Sequence, residues 1–426
     1  MKRSDTGPRN LNSEFEPPSR ASIANPTLST MKIRNFTLFV TGLIPSVASG
    51  AGYYLPNQDA FATARGNAFV ATADSAAAVH YNPAGLTQLA KPEAQVGAYS
   101  IVLGNQATVG GQTTNAKDEL QVAPHLYYAQ PYNDRLSFGF GLNSPFGLGT
   151  DWGRYNNFSP VITEARLLFA SATSAVAYKV TDQLSLGGSI SLNYADLKLE
   201  QGLRNPATSA SIPGSYLRFT GDDIGFSGAL GVRWQPSEQH AFGLVYSSQS
   251  TYDLSGKTES NFLAGDSSSQ LDFMTPARIA GGYSYRPAPG WNLEANVEWL
   301  DWDSLNSLTL ESTTVGGSTQ IPFNWKSSFI YELGASYTTS AGYILSAGYD
   351  FNANSQPDAN FTPGVSDADR HWFNVGVGRK YETYGWSLAY QFGYSNRTVD
   401  GAIDPLANGK YESRHNALIF SWQQSF

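Results

Sequence analysis

Apolar and polar residues alternate along most of this chain, from about residue 91 to its end. In WNLEANVEW, residues 291–299, aromatic or aliphatic side chains occupy every second position, and asparagine or glutamate the positions between. Residues 184–194 repeat the pattern, with leucine, isoleucine and tyrosine opposed to glycine, serine and asparagine. A period of two predicts strands with one apolar and one polar face. Either stretch alone also fits a soluble β-sandwich, in which the apolar face points into a core.

The lengths of the connections decide between these architectures. Six connections are short and turn-like: 131–134, 181–183, 236–239, 287–290, 339–342 and 382–384. They alternate with seven longer and more polar ones, among them 105–118, 201–220, 258–269 and 352–367. The alternation predicts an all-β fold, a 14-stranded antiparallel transmembrane β-barrel with short turns on one side and long loops on the other. In such a barrel the apolar faces meet lipid and the polar faces line the lumen.

The end of the chain supports a barrel independently. In ALIFSWQQSF, Leu418, Phe420, Trp422 and Phe426 share one face, and the chain ends on Phe426. A terminal aromatic residue on an amphipathic strand is similar to the signal read by the outer-membrane barrel-assembly machinery, which is therefore an expected partner. Tyrosine and tryptophan residues at predicted strand ends fit the two interfacial girdles of a barrel. They include Trp234, Tyr285, Trp299, Trp302 and Tyr390.

Composition narrows the function classes. The chain has 426 residues, no cysteine, 15% charged residues and a net charge of -8, with no block of lysine and arginine, which argues against a nucleic-acid partner. The mean hydropathy of -0.29 is too polar for a bundle of membrane helices. No stretch of about 20 apolar residues follows the N-terminus, so the sequence predicts no transmembrane helix. The absence of cysteine fits an oxidising envelope compartment.

The first fifty residues resemble targeting sequence rather than folded structure. Residues 31–50, MKIRNFTLFVTGLIPSVASG, place two basic residues, an apolar core and small residues in the order of a secretory signal peptide cleaved after Gly50. The alternative is a buried first helix or strand. Residues 1–30 are polar and rich in proline, serine and asparagine, and Met31 follows them, so we interpret them as a misassigned start or an unstructured leader. Signal and barrel together predict the outer membrane of a Gram-negative bacterium.

One compact segment remains between the signal and the first strand. Residues 51–90 are rich in alanine and glycine, which lets short helices pack closely in a confined space. A barrel of this size is wide enough for a polar channel unless something fills it. We therefore expect residues 51–90 to form a small N-terminal hatch, or plug, inside a barrel of residues 91–426. Pro83 stops the helix that the preceding alanines favour, and Asn82 can hydrogen-bond the backbone at that turn.

From Ala51 the sequence resembles the FadL/TodX family of outer-membrane transporters for long-chain fatty acids and aromatic hydrocarbons. The similarity covers the Ala51-Gly52-aromatic start, the Ala64/Gly66 spacing, Asp74 and Asn82-Pro83-Ala84, and continues through SPFGLGTDW, DIGFSGALGVRW, NWKSSFIYELGASY and DRHWFNVG. The resemblance implies a 14-stranded barrel with an N-terminal hatch, which matches the strand count reached independently. It assigns the hatch and gating role to Tyr53, Asn82, Pro83, Ala84 and Gly85.

The resemblance also implies a mechanism. A hydrophobic substrate is caught at the extracellular loops, passes by passive diffusion into an apolar pocket and leaves sideways through the barrel wall, at a kink in the third strand. Here the third strand is interrupted because Pro145 cannot donate to the ladder and Gly147 permits a bulge. The predicted opening comprises Asn143, Ser144, Pro145, Phe146 and Gly147. The alternative is a harmless bulge near the outer rim.

The pocket residues are predicted from strand parity and from the resemblance. Parity places Leu197 and Leu199 on the inner face of their strand, beyond its membrane-crossing part. Lys198 and Lys326 lie near regions where fatty-acid-binding relatives present basic groups to a carboxylate. Three charged residues on predicted inner faces of adjacent strands are interpreted as structural ion pairs of the lumen: Arg278, Glu294 and Glu298.

Three other functions remain open: a general diffusion porin, an outer-membrane lipid hydrolase, and an adhesin or receptor whose loops carry the function. A porin conducts ions and needs no hatch. A hydrolase needs a serine beside a histidine, but GFSG at residues 225–228 falls short of the G-x-S-x-G elbow. No metal, phosphate or dinucleotide motif is present, so we predict neither a cofactor nor an enzyme. The expected partners are a hydrophobic small molecule, outer-membrane lipid and lipopolysaccharide, and the resemblance suggests a monomer.

Overall fold

A computed structural model describes Met1 and residues 52–117, 119–262 and 267–426 of the chain. The predicted leader at residues 1–30 and the predicted signal peptide at residues 31–50 lie outside the described residues, apart from Met1. Ala51, the first residue of the predicted hatch, lies outside them as well. The domain boundaries drawn from the sequence therefore remain predictions.

Twenty strand segments build the wall of the molecule. They are β1 Glu93–Val109, β2 Gln112–Asn115, β3 Leu120–Pro131, β4 Leu136–Asn143, β5 Leu148–Asp151, β6 Glu164–Lys179, β7 Leu184–Arg204, β8 Ser211–Trp234, β9 His240–Ser247, β10 Ser250–Ser260, β11 Ser267–Thr275, β12 Arg278–Tyr285, β13 Trp291–Leu300, β14 Ser307–Ser312, β15 Gly317–Pro322, β16 Ser328–Thr338, β17 Tyr343–Asn352, β18 Arg370–Lys380, β19 Tyr384–Val399 and β20 Gly409–Ser425.

The strands close into the predicted ring of fourteen. Each member is antiparallel to its neighbours in the order β1, β3, β4, β6, β7, β8, β9, β12, β13, β16, β17, β18, β19 and β20, and β20 pairs with β1. The segments β5, β10, β11, β14 and β15 continue five of these strands beyond an interruption, and β2 folds back on the end of β1. The molecule is therefore a closed antiparallel barrel.

Apolar side chains cover the outside of this barrel. Ile190 is 69% exposed, Leu230 68% and Leu418 52%. On the opposite face of β13, Glu294 and Glu298 are buried. The predicted parity is confirmed, because in a barrel that spans a membrane an apolar outer band contacts lipid while polar groups stay inside.

The six predicted short turns all join neighbouring strands of the ring, but two of the predicted long loops are shorter than expected. β1 runs on to Val109 and β7 to Arg204, so much of 105–118 and 201–220 is strand. These extensions are polar, with glutamine, threonine, asparagine and arginine in place of the alternating apolar residues of a lipid-facing strand. The pattern that marks the membrane-crossing part is therefore lost before the strand ends.

Helices are few and short. The N-terminal region contains α1 Ala60–Ala64, α2 Ala78–Tyr81 and the 3₁₀ helix η1 Pro83–Gln88. Further 3₁₀ turns lie in the connections: η2 Trp302–Ser304, η3 Thr313–Val315, η4 Asp358–Asn360 and η5 Pro405–Ala407. Within the described residues, no helix has the length and apolar character needed to cross a membrane.

Candidate functional site at the N-terminal segment and the third strand

Residues 52–89, called here the N-terminal segment, lie inside the ring of strands. Nearly all of their side chains are buried, and they pack against inward-facing glycines of the wall. A Cβ atom at each of these glycines would collide with the segment: Gly139, Gly187, Gly231, Gly243, Gly334, Gly348 and Gly376. These glycines lie on strands from β4 to β18, so the segment touches the wall around most of the ring. Small residues on both sides of the contact make this close approach possible.

Asn82 holds the N-terminal segment at three points. Its Oδ1 accepts a hydrogen bond from Ala84 N at 3.2 Å, which caps η1. Its Nδ2 donates to Val70 O at 2.9 Å within the segment and to Val232 O of β8 at 3.1 Å. Three more of the predicted hatch residues form the first turn of η1 and are buried: Pro83, Ala84 and Gly85.

A carboxylate from the wall binds the segment's backbone. Glu294 of β13 accepts hydrogen bonds from Ala71 N at 2.8 Å and from Thr72 N at 3.1 Å, and the Thr72 hydroxyl also donates to it. Arg65 lies 3.5 Å from the same carboxylate. The ionic partner of Glu294 is therefore an arginine of the segment rather than another residue of the wall. Strand parity alone could not indicate this contact.

The third barrel strand is interrupted where the sequence predicts. Residues 144–147 separate β4 from β5 and turn inward to meet the start of the N-terminal segment. Leu55 N donates to Pro145 O at 2.9 Å, and Gly147 N donates to Tyr53 O at 2.9 Å. The backbone groups that leave the barrel ladder thus find partners in the segment, as buried backbone must.

A backbone bridge and the side chains of Gln58 and Asn143 complete this junction. Tyr54 and Phe146 form an isolated antiparallel bridge. The amide of Gln58 donates to Ser144 O at 2.8 Å, and its Oε1 accepts from Ser144 N at 3.2 Å and from Asn143 Nδ2 at 3.1 Å. The interruption and the segment therefore form one hydrogen-bonded unit.

The interruption contains one residue more than the strand beside it. Asn143 lies opposite Ser171 on β6, and Leu148 lies opposite Leu167, so four residues of the third strand face three of β6. On its other side, the ladder with β3 covers only β4. The ladder of the third strand is therefore broken at this place.

A small cavity lies beside the interruption. Asn143, Pro145 and Phe146 bound it on one side, and Tyr54 and His80 of the N-terminal segment on another. Small polar side chains on β6, β7 and β8 supply much of the remaining lining: Ser171, Thr173, Ser189, Ser191, Asn193 and Ser227. The cavity is therefore continuous with the predicted opening.

The charged groups at this cavity are neutralised. Arg278, which lines it, pairs with Glu298 at 2.6 Å, so this predicted ion pair of the lumen is present. Burial, reinforced by the nearby Arg278 and His125, lowers the pKa of His80 to about 3. His80 is therefore uncharged near neutral pH, and the cavity offers hydrogen-bonding groups rather than a free charge.

Tyr53 lies at the centre of an aromatic cluster. Its ring centroid is 4.6 Å from that of Trp302, 5.3 Å from Phe273, 6.0 Å from Trp325 and 6.2 Å from Phe146. Phe146 also belongs to the third-strand interruption, so the cluster and the interruption share a side chain.

Two of the four predicted pocket residues lie at this cluster. Leu197 is buried in it, and Leu199 packs against it, on the face that strand parity predicts. Lys198 lies on the opposite, outer face of β7, where its Nζ is 2.5 Å from Glu164 Oε2. Lys326 is exposed. The structure thus brings the two leucines to the aromatic cluster and leaves both lysines away from it.

The girdle assignment of Trp302 is wrong. This residue begins η2, between β13 and β14, and its side chain is 0% exposed inside the aromatic cluster. Trp302 lies two residues after the inward-facing Leu300, so the alternation of β13 already indicates an inward side chain, and the girdle assignment did not follow it. By contrast, three of the predicted girdle residues face outward as expected: Trp234, Tyr285 and Tyr390.

Comparisons with known proteins agree on one family. Residues 41–422 match the family described as outer membrane protein transport protein (OMPP1/FadL/TodX). A long-chain fatty acid transport protein of Escherichia coli O6:H1 is 22% identical over 450 residues, covering 92% of this chain and 97% of that protein. Outer membrane protein P1 of Haemophilus influenzae is 22% identical over 417 residues, covering 86% of this chain and 90% of that protein.

Solved structures share the fold. A Pseudomonas aeruginosa FadL homologue superposes with a TM-score of 0.78 at 18% identity, covering 88% of this chain and all, 100%, of that one. The toluene transporter TodX of P. putida superposes with a TM-score of 0.71 at 18% identity, covering 86% of this chain and 98% of that one.

Proposed function

Because the chain belongs to the OMPP1/FadL/TodX family of outer membrane transport proteins, we propose that it takes up long-chain fatty acids or aromatic hydrocarbons by passive diffusion. The substrate enters from the extracellular side, rests in the aromatic cluster and leaves sideways at the third-strand interruption. The chain is an outer-membrane protein of a Gram-negative bacterium, and the family consists of transporters and channels rather than enzymes. The lipid hydrolase is therefore set aside.

The position of Phe146 is the observation that carries this proposal. Its ring lies 6.2 Å from Tyr53 in the cluster and 5.1 Å from Phe169 on β6, and its backbone bridges Tyr54. It also lines the cavity beside the interruption. One residue thus joins the N-terminal segment, the pocket and the wall, so the segment cannot shift without disturbing the interruption.

A lateral exit suits an apolar substrate on energetic grounds. Burying apolar surface gains roughly 25 cal/mol per Å², a gain that is lost each time the substrate passes through water. A path from the cluster to the interruption passes the partly polar cavity and connects one apolar environment, the cluster, to another, the lipid, without crossing bulk water. A polar substrate would instead need a water-filled pore, which the N-terminal segment obstructs.

Each predicted hatch residue has a role in this proposal. Tyr53 occupies the pocket, and Asn82, with the turn of Pro83, Ala84 and Gly85, fixes the segment to the wall. The exit consists of Asn143, Ser144, Pro145, Phe146 and Gly147. We further propose that the barrel acts as a monomer surrounded by lipid and lipopolysaccharide, and that Phe426 is read by the assembly machinery.

A reversible lock on the segment tests the proposal. Leu55 and Gly147 carry the hydrogen bonds on either side of the Tyr54–Phe146 bridge, so that bridge is a non-hydrogen-bonded pair with Cα atoms about 4.5 Å apart, within reach of a disulfide. The chain has no cysteine of its own. We expect the double variant Tyr54→Cys/Phe146→Cys to lose uptake of radiolabelled oleate or toluene when oxidised, and to regain it with a reductant.

The two single cysteine variants are the matched controls, compared at equal surface level in cells without endogenous transporters. They should respond to neither oxidant nor reductant. Unchanged uptake by the oxidised double variant would show that the segment and the interruption need not separate. Ion conductance in planar bilayers without uptake of either compound would indicate the porin instead.

A further inference from the structure

Two tryptophans in the aromatic cluster have unpaired indole nitrogens. Trp302 and Trp325 are 0% and 1% exposed, and their rings lie 5.1 Å apart with an interplanar angle of 66°. The Nε1 of each is buried and has no hydrogen-bond partner in the described structure. Trp152, which is also buried, shows the usual arrangement, because its Nε1 donates to Pro363 O at 3.0 Å.

An unpaired indole N–H is unusual in a protein interior. A buried tryptophan normally finds an acceptor for it, and a donor left without one loses the hydrogen bond that it had made to water. Two such donors on neighbouring rings indicate a site that lacks an acceptor. An oxygen acceptor brought by a ligand would satisfy both donors.

The start of the N-terminal segment fills the space beside these indoles. A Cβ atom at Gly52 would lie 2.6 Å from the Trp325 ring and 2.7 Å from the Trp302 ring, and the φ angle of Gly52 is +67°, so only glycine fits. The Tyr53 ring follows, with its hydroxyl donating to Met274 O. An aromatic ring that carries a neutral oxygen thus already occupies part of the pocket.

The described charged groups around the cluster are already engaged or point elsewhere. Arg278 pairs with Glu298, Arg370 lies over the ring of Trp372, and Lys198 and Lys326 point away. A carboxylate placed here would be buried without a counter-ion, which is strongly unfavourable.

We propose that this cluster binds neutral aromatic compounds that carry an oxygen acceptor, such as aryl alcohols and aryl ketones, with Trp302 Nε1–H and Trp325 Nε1–H as the donors. The inference rests on the proposed function and extends its substrate class from aromatic hydrocarbons to neutral aromatic compounds that carry an oxygen. A plain hydrocarbon fits the rings but leaves both donors unpaired, so it binds more weakly than an oxygenated ligand with the same ring system. Such a ligand takes the place of Gly52 and Tyr53 when the segment withdraws.

The test compares three ligands of one ring system: naphthalene, 1-naphthalenemethanol and 1-naphthoate. Their Kd values for the purified protein in detergent are measured by equilibrium dialysis and corrected for partition into micelles. We expect the alcohol to bind about tenfold more tightly than the hydrocarbon, since one good hydrogen bond is worth up to about that factor. We expect the anion to bind most weakly.

The variants separate the indole donors from the ring surfaces. Trp302→Phe/Trp325→Phe keeps an aromatic ring at each position but removes both N–H donors, so we expect naphthalene affinity to fall less than that of the alcohol and the preference for the alcohol to fall to about onefold. Trp152→Phe, whose N–H already has a partner, should keep the preference. Heat-modifiable migration on a gel verifies that each variant forms a barrel.

Four results would overturn the inference: an unchanged preference in the double variant, equal loss of all affinities, tightest binding of naphthoate, or no binding of any of the three ligands. Uptake of oleate, toluene and radiolabelled 1-naphthalenemethanol by the parent protein is measured in parallel. If the protein takes up these compounds but the double variant keeps the preference for the alcohol, this inference alone is wrong. If the preference depends on the two indoles but none of the compounds is taken up, the proposed function is wrong.

Discussion

Single side chains decide how firmly the N-terminal segment is held. Asn82 alone satisfies a donor of η1, a carbonyl of the segment and a carbonyl of β8. Glu294 binds two successive backbone N–H groups of the segment. Leaving such a buried partner unpaired costs about 1–3 kcal/mol, so a few residues hold the segment as firmly as a much larger apolar contact.

His80 makes the docking of the segment depend on pH. Its pKa in the docked state is about 3, because burial and the nearby Arg278 and His125 disfavour the charged imidazole, whereas a free histidine has a pKa of about 6.5. As the pH falls from about 6.5 towards 3, the undocked segment binds a proton that the docked one does not, and docking weakens by up to about 1.4 kcal/mol per pH unit. We expect ion conductance in bilayers to rise as the pH is lowered from about 7 to about 5.

A pair of histidine variants isolates this effect. His80→Gln cannot gain the proton, so its conductance should vary less with pH than that of the parent. Both proteins keep His125, so its contribution cancels when the two are compared. His371→Gln replaces a histidine bonded to Tyr349 in the wall and should keep the parent's pH dependence. An identical pH dependence in parent and His80→Gln would contradict the prediction.

At the level of elements, breaks in the strands build the site. The break between β15 and β16 turns Trp325 inward, the break between β13 and β14 places the inward Trp302 beside it, and β11 ends beside Met274, the acceptor for Tyr53. Continuous strands would have directed every second side chain into the lipid. The pocket therefore exists because several neighbouring strands are not continuous.

The third strand offers a direct test of lateral exit. Its interruption contains one residue too many for β6, so deleting Ser144 restores the register, and Pro145→Val restores a ladder donor. We expect the combined variant to form a stable barrel with a closed wall and to reduce uptake of oleate or toluene to the background of cells without the protein. Pro145→Ala, which keeps the extra residue, is the control and should retain most uptake. Full uptake through the closed wall would place the exit elsewhere.

At the level of the whole molecule, inward glycines allow a barrel of this size to hold its own N-terminal segment. Gly243 of β9 lies opposite Gly282 of β12, and both meet the segment at Val70. Side chains here would force the segment away from the wall, and an overpacked contact of this kind costs about 1–3 kcal/mol.

Two glycine variants in the same part of the wall test this packing. In Gly243→Ala the new methyl group collides with the Val70 carbonyl, whereas Gly281 has open space around the position of a Cβ atom. We expect Gly243→Ala to form a barrel with raised ion conductance and a segment more readily cut by protease, and Gly281→Ala to match the parent. Equal behaviour of the two variants would mean that the segment does not depend on close approach.

The sequence predicted the features that neighbouring residues determine, such as side-chain direction along a strand. It missed contacts between residues far apart in the chain. The parity of β13 correctly placed Glu294 inside, and the proline and glycine at 145 and 147 correctly marked the interruption. The partner of Glu294 is Arg65, 229 positions away, and no local pattern encodes that contact. Trp302 was misplaced for a different reason: the local alternation of β13 directs it inward, where it meets Tyr53 and Trp325, but an aromatic residue near a strand end was taken for a girdle residue.

The strands that close the ring also complete the site of the N-terminal segment. Ala60 N donates to Ser421 Oγ of β20 at 3.0 Å, and Gln95 of β1 donates to Asp59. β1 and β20 meet only after the final strand has been synthesised, so a part of the chain that is made early acquires its full set of contacts late. Such pairing between distant parts of a chain is slow. The N-terminal segment can therefore make all of its contacts only after the barrel has closed. In a chain truncated before β20, the segment would lack part of the wall that binds it.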